Sequence, residues 1–356
     1  MIKVLNIIGT DFDLSTGGVV SFLKSYLPFF SCDGDFKYDI LSISRGDEFS
    51  EISLEGNSEL YCFPRFSLSN AKKIKALFSA LLDQHEYDII HLHSANMGFV
   101  FLPIAKKRAK KIIVHSHNTK LSESYLKCIR NKLVCIYNEL FLTHRAACSK
   151  DAGVAMFGRK KFTVIPNAIQ SSKFQFDIAS RNKLRDQHGI GSDELWIGIV
   201  GRLCKQKNQF FLLDVVDGVR KQKSNVKLVM IGDGPQKAFL NHEIKKRKLE
   251  KNVILVGHQS NVNEYLSAID LFVLPSVFEG FGIVLLEALA AGLPCVCSDK
   301  VAFPDNFGNV KKLPLKCDDW IEVVCEQTTD RCEFDLKKTN YELENASKYV
   351  KEWYKA

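Results

Sequence analysis

Glu279 and Glu287 are the side chains of this 356-residue chain best suited to polar recognition. Glu279 lies in Pro275-Ser276-Val277-Phe278-Glu279-Gly280-Phe281-Gly282, and Glu287 follows on a helical pattern at 283–291. A carboxylate accepts two hydrogen bonds side by side and so suits a sugar diol. A loop glutamate can hold hexose hydroxyls while a helix glutamate holds ribose hydroxyls. Gly280 and Gly282 let backbone N–H groups approach the same ligand. Upstream, Gly201-Arg202-Leu203-Cys204-Lys205-Gln206-Lys207-Asn208 follows an apolar run. Arg202 and Lys207 flank a helix start, and two fixed cations at a helix N-terminus suit a diphosphate. The plainer alternative is an exposed basic loop. Gly232-Asp233-Gly234-Pro235 and Gly257-His258 end the next two apolar runs as tight turns.

The first half offers a weaker set. Residues 9–18 form a loop that closes on Thr16-Gly17-Gly18 before a helical pattern. Paired glycines with free N–H groups favour an anion or a sugar. The spacing is neither GxGxxG nor GxxxxGK[ST], so it carries no dinucleotide or P-loop fingerprint. Asp11-Phe12-Asp13 could hold a divalent metal, but no second acidic cluster completes a site, and the reading is a solvated acidic loop with no metal. His91 and His93 end one strand pattern, and His115 and His117 end the next. Two His-x-His pairs at equivalent strand ends point to a site, while zinc would want a further ligand.

The elements that must position these residues alternate along the chain. Strand patterns fall at 4–8, 38–43, 89–92, 112–114, 146–148 and 162–165, with helical patterns at 19–29, 71–84 and 124–142. The second half repeats the scheme: strands at 195–200, 227–231, 253–256, 271–274 and 295–297, helices at 208–222, 235–248 and 283–291. Strand–helix alternation predicts parallel sheets covered on both faces. Such sheets bind ligands beyond the carboxyl ends of their strands, where these motifs sit. The expected division is an N-terminal domain over 1–170, a C-terminal domain over 171–335, and a closing amphipathic helix over 336–356 with Tyr341, Ala346, Tyr349 and Trp353 near one side.

Composition excludes whole-chain disorder, collagen and coiled coil: 46% of residues are apolar and 25% charged. The 11 cysteines show no CxxC pair, so neither a zinc knuckle nor a disulfide framework is indicated, and a reducing, cytoplasmic setting is expected. No apolar stretch is long enough to span a bilayer. The net charge of +8 is uneven, because residues 60–170 hold 18 basic and 6 acidic side chains. Lys106, Lys107, Arg108, Lys110 and Lys111 form the sharpest cluster. It reads either as a solvated helix end or as a patch for an anionic membrane surface, with the protein peripheral on the inner face of the cell membrane. No nucleic-acid signature accompanies the charge.

Taken in order, Gly17-Gly18, His117, Asn167, Gly201-Arg202 with Lys207, Gly232-Asp233-Gly234, and Glu279 with Glu287 resemble glycosyltransferase family 4. The similarity covers nearly the whole chain and is strongest over 198–299. It implies a retaining enzyme of the GT-B fold, α/β, with two Rossmann-like doubly wound domains facing a cleft. It also implies a C-terminal helix returning to the N-domain, no cofactor and no metal. By the same resemblance Arg202 and Lys207 would hold the donor diphosphate, Glu279 the sugar hydroxyls and Glu287 the ribose. Gly257 and His258 would lie near the base, and Gly280, Phe281 and Gly282 would offer backbone contacts. His117 matches the active-site histidine, Asn167 and Gly234 match donor-binding positions, and Gly17-Gly18 matches the N-domain loop that closes over the substrates. Relatives carry glycines where this chain has Asp299-Lys300-Val301-Ala302-Phe303-Pro304, so those contacts do not transfer.

The expected function is transfer of a hexose from a nucleoside-diphosphate sugar, expected to be uridine-based, to a saccharide acceptor. A lipid-linked glycan of a capsule, exopolysaccharide or lipopolysaccharide is the expected acceptor. Two alternatives stand beside it: a sugar-nucleotide epimerase of the same architecture, and a non-catalytic sugar-nucleotide-binding protein.

Overall fold

Strand β1 (Ile2–Ile8) shows the logic of the first sheet, because its alternate side chains enter different cores. Val4 and Ile8 pack in one apolar cluster, Leu5 and Ile7 in another, and all four are buried. A strand covered on both faces is apolar at nearly every position, which is why the sequence pattern is a run rather than an alternation, broken in β1 by the buried Asn6. The computed structural model describes residues 1–12, 18–43, 49–54, 56–122, 124–223, 225–305, 307–327, 330–332 and 334–356. They divide into two units, Met1–Ala168 with Leu343–Ala356, and Ile169–Glu342.

In the first unit β1 is followed by α1 (Gly18–Ser31), β2 (Phe36–Ile43), β3 (Ser50–Ser53), β4 (Glu59–Phe63), α2 (Ala71–Gln84) and β5 (Ile89–Leu92). Then come α3 (Gly98–Ala105), β6 (Lys111–Ser116), α4 (Tyr125–Asn138), β7 (His144–Ala147), α5 (Lys150–Phe157) and β8 (Thr163–Val164). The sheet order is β3-β4-β2-β1-β5-β6-β7-β8, parallel except for the β3–β4 pair. The order reverses between β1 and β5, the switch point where open α/β sheets place ligands.

The second unit runs α6 (Ile178–Gln187), β9 (Leu195–Val200), α7 (Gln209–Gln222), β10 (Val226–Ile231), α8 (Lys237–Lys246), β11 (Val253–Gly257) and α9 (Val262–Ala268). It continues with β12 (Leu271–Leu274), α10 (Ile283–Ala290), β13 (Cys295–Ser298), β14 (Val310–Leu313) and α11 (Cys317–Glu326). Its sheet is parallel in the order β11-β10-β9-β12-β13-β14, with the switch between β9 and β12. Two doubly wound parallel sheets of this kind are the α/β architecture the sequence predicts.

The last helix, α12 (Leu343–Lys355), packs on α1. Its buried face is Leu343, Ala346, Ser347, Val350 and Tyr354. That corrects the expected face. Tyr349 is exposed, and Tyr341 lies before the helix with its ring against Phe281 and Phe307 of the second unit. Lys351 and Lys355 pin the helix to Asp33 and Asp35.

The basic cluster is also corrected. Lys106, Lys107 and Arg108 close α3 as a turn, but Lys111 is the buried first residue of β6. Its ammonium donates to the Trp353 carbonyl at 2.6 Å and sits 4.8 Å from the Trp353 ring. Arg108 is paired with Asp83 and Lys110 with Asp88. Burial therefore removes Lys111 from the cluster, while Arg108 and Lys110 stay at the surface beside carboxylates that offset their charge.

Candidate active site

At the switch point of the second sheet, the loops after β9 and β12 are bonded to one another. The Val277 N–H donates to the Gln206 carbonyl at 2.8 Å, and Asn208 Nδ2 donates to the Pro275 carbonyl at 3.2 Å. Gln206 Nε2 donates to the Phe278 carbonyl and to Glu279 Oε1, each at 3.1 Å. Lys207 Nζ meets the same Oε1 at 2.8 Å. Gln206 and Asn208 are thus part of the site, although the sequence singled out only their neighbours. They carry no charge, and only the pairing of β9 with β12 reveals their partners.

Glycines make this approach feasible. Gly201 has φ 154°, and a Cβ there would come within 3.2 Å of Lys207 Cε. Gly232 has φ 136°, and a Cβ would fall 2.2 Å from the Gly201 carbonyl oxygen. Any side chain at 232 would therefore push the β9 and β10 ends apart.

Glu287 sits on α10, within the field of Lys207. It keeps some solvent contact, yet burial pushes its carboxyl up to about 7, against the pull of the Lys207 cation. Lys207 therefore serves two carboxylates: one bonded directly, one felt through the field. Arg202 is exposed and makes no side-chain hydrogen bond or ion pair among the described residues, while its carbonyl accepts from Gln209 Nε2 at 2.9 Å. Gly234 bonds to the Asp233 carboxylate, which is also held by Lys237 at 2.6 Å. Those bonds and the nearby His258 hold the Asp233 carboxyl below its usual range. His258 itself is exposed just after Gly257, the last residue of β11. Gly280 and Gly282 lie in the loop that leads into α10, whereas the Phe281 ring turns inward against Phe303 and Tyr341. The segment that lacks the glycines of relatives pairs with this loop: Glu279 bridges Val301, and the Ala302 N–H donates to the Glu279 carbonyl at 3.3 Å.

In the first unit the four histidines form two bonded pairs beside the switch point. His93 Nδ1 lies 2.8 Å from His117 Nε2, and His91 Nε2 lies 3.2 Å from His115 Nδ1. Phe22, one turn into α1, touches the rings of His93, His115 and His117. Burial lowers all four pKa values, that of His117 to about 3, so the imidazoles are neutral.

Neutrality fixes the proton positions. Asn6 Nδ2 donates to the Asp39 carbonyl, so Asn6 Oδ1 is what faces His93 Nε2 at 3.1 Å. His93 must then carry its proton on Nε2 and accept at Nδ1. His117 must donate through Nε2, leaving its Nδ1 lone pair for a hydroxyl donor. Asn6 was legible as a lone amide in an apolar strand, but nothing in the sequence pointed from it to His117.

The remaining expected positions are more scattered. Asn167 is buried, and its side-chain oxygen has no hydrogen-bond partner among the described residues. Gly18 opens α1 with open space where a Cβ would be, while Gly17 and Asp13 lie outside the described residues. Ring nitrogens of His91, His93 and His115 lie within 4.8 Å of one another, a spacing that could hold a metal ion. An ion there would have to break the imidazole pairs and carry its charge into a buried pocket. Among the described residues, no carboxylate contributes to the charges acting on these rings.

Residues 180–320 match the family model described as Glycosyl transferases group 1. Over 279 residues the chain is 29% identical to "Putative glycosyltransferase EpsF" of Bacillus subtilis (strain 168), covering 75% of this chain and 72% of that protein. Over 253 residues it is 28% identical to "UDP-Gal:alpha-D-GlcNAc-diphosphoundecaprenol alpha-1,3-galactosyltransferase" of Escherichia coli, covering 65% of this chain and 64% of that one. Among solved structures, Anabaena HepE in complex with UDP and glucose superposes with a TM-score of 0.75 at 18% identity, over 99% of this chain and 95% of that chain. The chain therefore has the GT-B fold, and the group 1 match together with relatives named as glycosyltransferases supports glycosyltransferase activity.

Proposed function

We propose that the chain is a retaining, family 4-like hexosyltransferase that takes its sugar from a uridine-diphosphate donor and delivers it to a saccharide acceptor, a lipid-linked glycan of surface polysaccharide synthesis. The observation that carries the reading is Lys207 bonded to Glu279 and acting on Glu287 at the β9–β12 switch point. A cation fixed there can take up the charge that develops on a departing diphosphate, with exposed Arg202 as the second donor. Glu279 would then share its bond to Lys207 with the sugar hydroxyls, and Glu287 would accept from the ribose. Gly257 and His258 would border the base, with Gly234, Gly280 and Gly282 offering backbone approach. His117, held as an Nδ1 acceptor, would receive a substrate hydroxyl. In this scheme the positive charge comes from side chains, and no metal is required.

The names of relatives support the finer points. The Escherichia coli relative is named for a UDP-Gal donor, a diphosphoundecaprenol-linked acceptor and an alpha product. An alpha product from a donor whose own anomeric bond is alpha is retention. The test is a transfer assay with a panel of uridine-diphosphate hexoses and lipid-linked saccharides in excess chelator, with the product anomer read by NMR. Transfer with retention is expected. Loss of activity that Mn²⁺ or Mg²⁺ restores would overturn the metal-free scheme. A new sugar nucleotide formed from donor alone would identify an epimerase, and donor binding without turnover on any acceptor would identify a binding protein.

A further inference from the structure

Helix α4 is built inside out. Its buried side chains are Asn131 and Asn138, while Tyr125, Leu126, Ile129, Leu133, Ile136 and Tyr137 face solvent. Exposure is high: 80% for Tyr125, 77% for Leu126, 62% for Leu133 and 61% for Ile136, with Leu140 just past the helix at 71%. At roughly 100° per residue these positions fall in one arc about 120° wide, with Lys132 on one flank and Arg130 on the other. Scattered exposed apolar residues are ordinary, but a continuous stripe along a whole helix marks an interaction surface.

The inner side is firmly anchored, so the outward face is not the product of a loose helix. Asn138 Nδ2 donates to the Ala95 carbonyl at 2.8 Å, and Asn131 Nδ2 donates to the Leu121 carbonyl at 2.7 Å. Gly98 lets Asn138 in: a Cβ there would lie 2.1 Å from Asn138 Oδ1. Glu139, which follows the helix, is held by Arg145 and Lys160, so its charge does not face the arc unopposed.

We infer that α4 is an interfacial helix that lays its apolar arc into the headgroup region of an anionic lipid bilayer. Charge selects this occupant. Lys132 and Arg130 on the flanks, with exposed Lys127 further round, complement anionic headgroups, whereas a second copy of the same face would bring like charges together. The helix lies on the membrane rather than crossing it, since its 14 residues are too short to span. None of these residues belongs to the Lys106–Lys111 cluster or was assigned to the transfer site, and the inference does not depend on the transferase reading.

The test is flotation of the full chain with vesicles of phosphatidylcholine alone and of phosphatidylcholine with phosphatidylglycerol. The wild-type chain should float with the anionic mixture, and high salt should weaken that binding without abolishing it. Leu126→Ser, Leu133→Ser and Ile136→Ser combined should reduce partition by about a hundredfold or more with an unchanged thermal melt. Lys106→Glu with Lys107→Glu should leave it nearly unchanged. A Tyr125→Trp reporter should shift to the blue and be quenched by brominated lipid. No flotation with either vesicle would overturn the inference. So would full release by salt with no effect of the serine substitutions, or a concentration-dependent dimer, seen by sedimentation equilibrium, that the same substitutions abolish.

Discussion

Lys207 is the residue on which the proposed chemistry turns, since its ammonium is bonded to Glu279 and acts on Glu287. Lys207→Ala or Arg202→Ala should lower kcat/KM by about a hundredfold or more, the scale of one lost charge-stabilising group. Steady-state rates near wild type in both variants would remove the diphosphate assignment. Glu287 makes a second, pH-dependent claim. Burial raises its folded-state pKa to about 7 from the ordinary carboxylate value. Near pH 4 both folded and unfolded chains hold the proton and nothing is lost. As pH rises through about 7 the native state must ionise a buried carboxyl, and stability falls. Glu287→Gln should therefore melt higher than wild type at pH 8, by roughly 2 kcal/mol, with the two converging near pH 4. Its affinity for uridine diphosphate should fall at the same time. A stability gap that does not change with pH would contradict the burial argument.

At the scale of elements, β1, β5 and β6 hold the two histidine pairs in register, because their parallel pairing sets Asn6 beside His91 and His91 beside Ile113. His93→Phe would remove the acceptor that keeps the His117 proton on Nε2. We expect kcat to fall about tenfold, the worth of roughly one hydrogen bond, with the acid limb of the pH–rate profile displaced. A change in KM alone would assign His93 to packing. The same elements make the first unit acid-sensitive. Burial depresses the pKa of all four imidazoles, so their stability is present above the unfolded value near 6.5 and is lost as pH falls below it. Each can contribute up to about 1.4 kcal/mol per pH unit. Urea melts between pH 7.5 and 5 should show this slope, and His115→Phe should make it shallower.

At the scale of the molecule, the chain leaves its first unit at Ala168 and re-enters it at Leu343. The returning helix supplies Leu343, Ala346, Val350 and Tyr354 to the core that covers one face of the first sheet. Tyr354 also places its hydroxyl 2.7 Å from His91 Nδ1. Ending the chain at Glu342 would expose several large side chains at about 1.5–3 kcal/mol each, a total near the whole stability of many domains. Hydrogen exchange on that truncation should show residues 1–168 unprotected while residues 169–342 keep their protection. Equal protection in both units would mean that α12 is dispensable.

The alternation of apolar runs and helical patterns, the glycines at strand ends, and the order Gly201-Arg202, Lys207, Glu279, Glu287 all rest on neighbours in the chain. They are legible because strand and helix periods and tight turns are local properties. Short elements were hidden for the same reason. The α3 stretch Gly98–Ala105 is apolar at nearly every position and has no period to read, and α6 is mostly polar. Burial and partnership were not legible, since they depend on residues far apart in sequence. Periodicity marks α4 as a helix but does not say which way its apolar side faces, and only the anchoring of Asn131 and Asn138 shows that this side faces out. A run of lysines looks like one surface until β6 draws Lys111 under Trp353. Asn6 and His117 stand 111 positions apart, and the proton position on His117 is decided by the packing that joins them through His93.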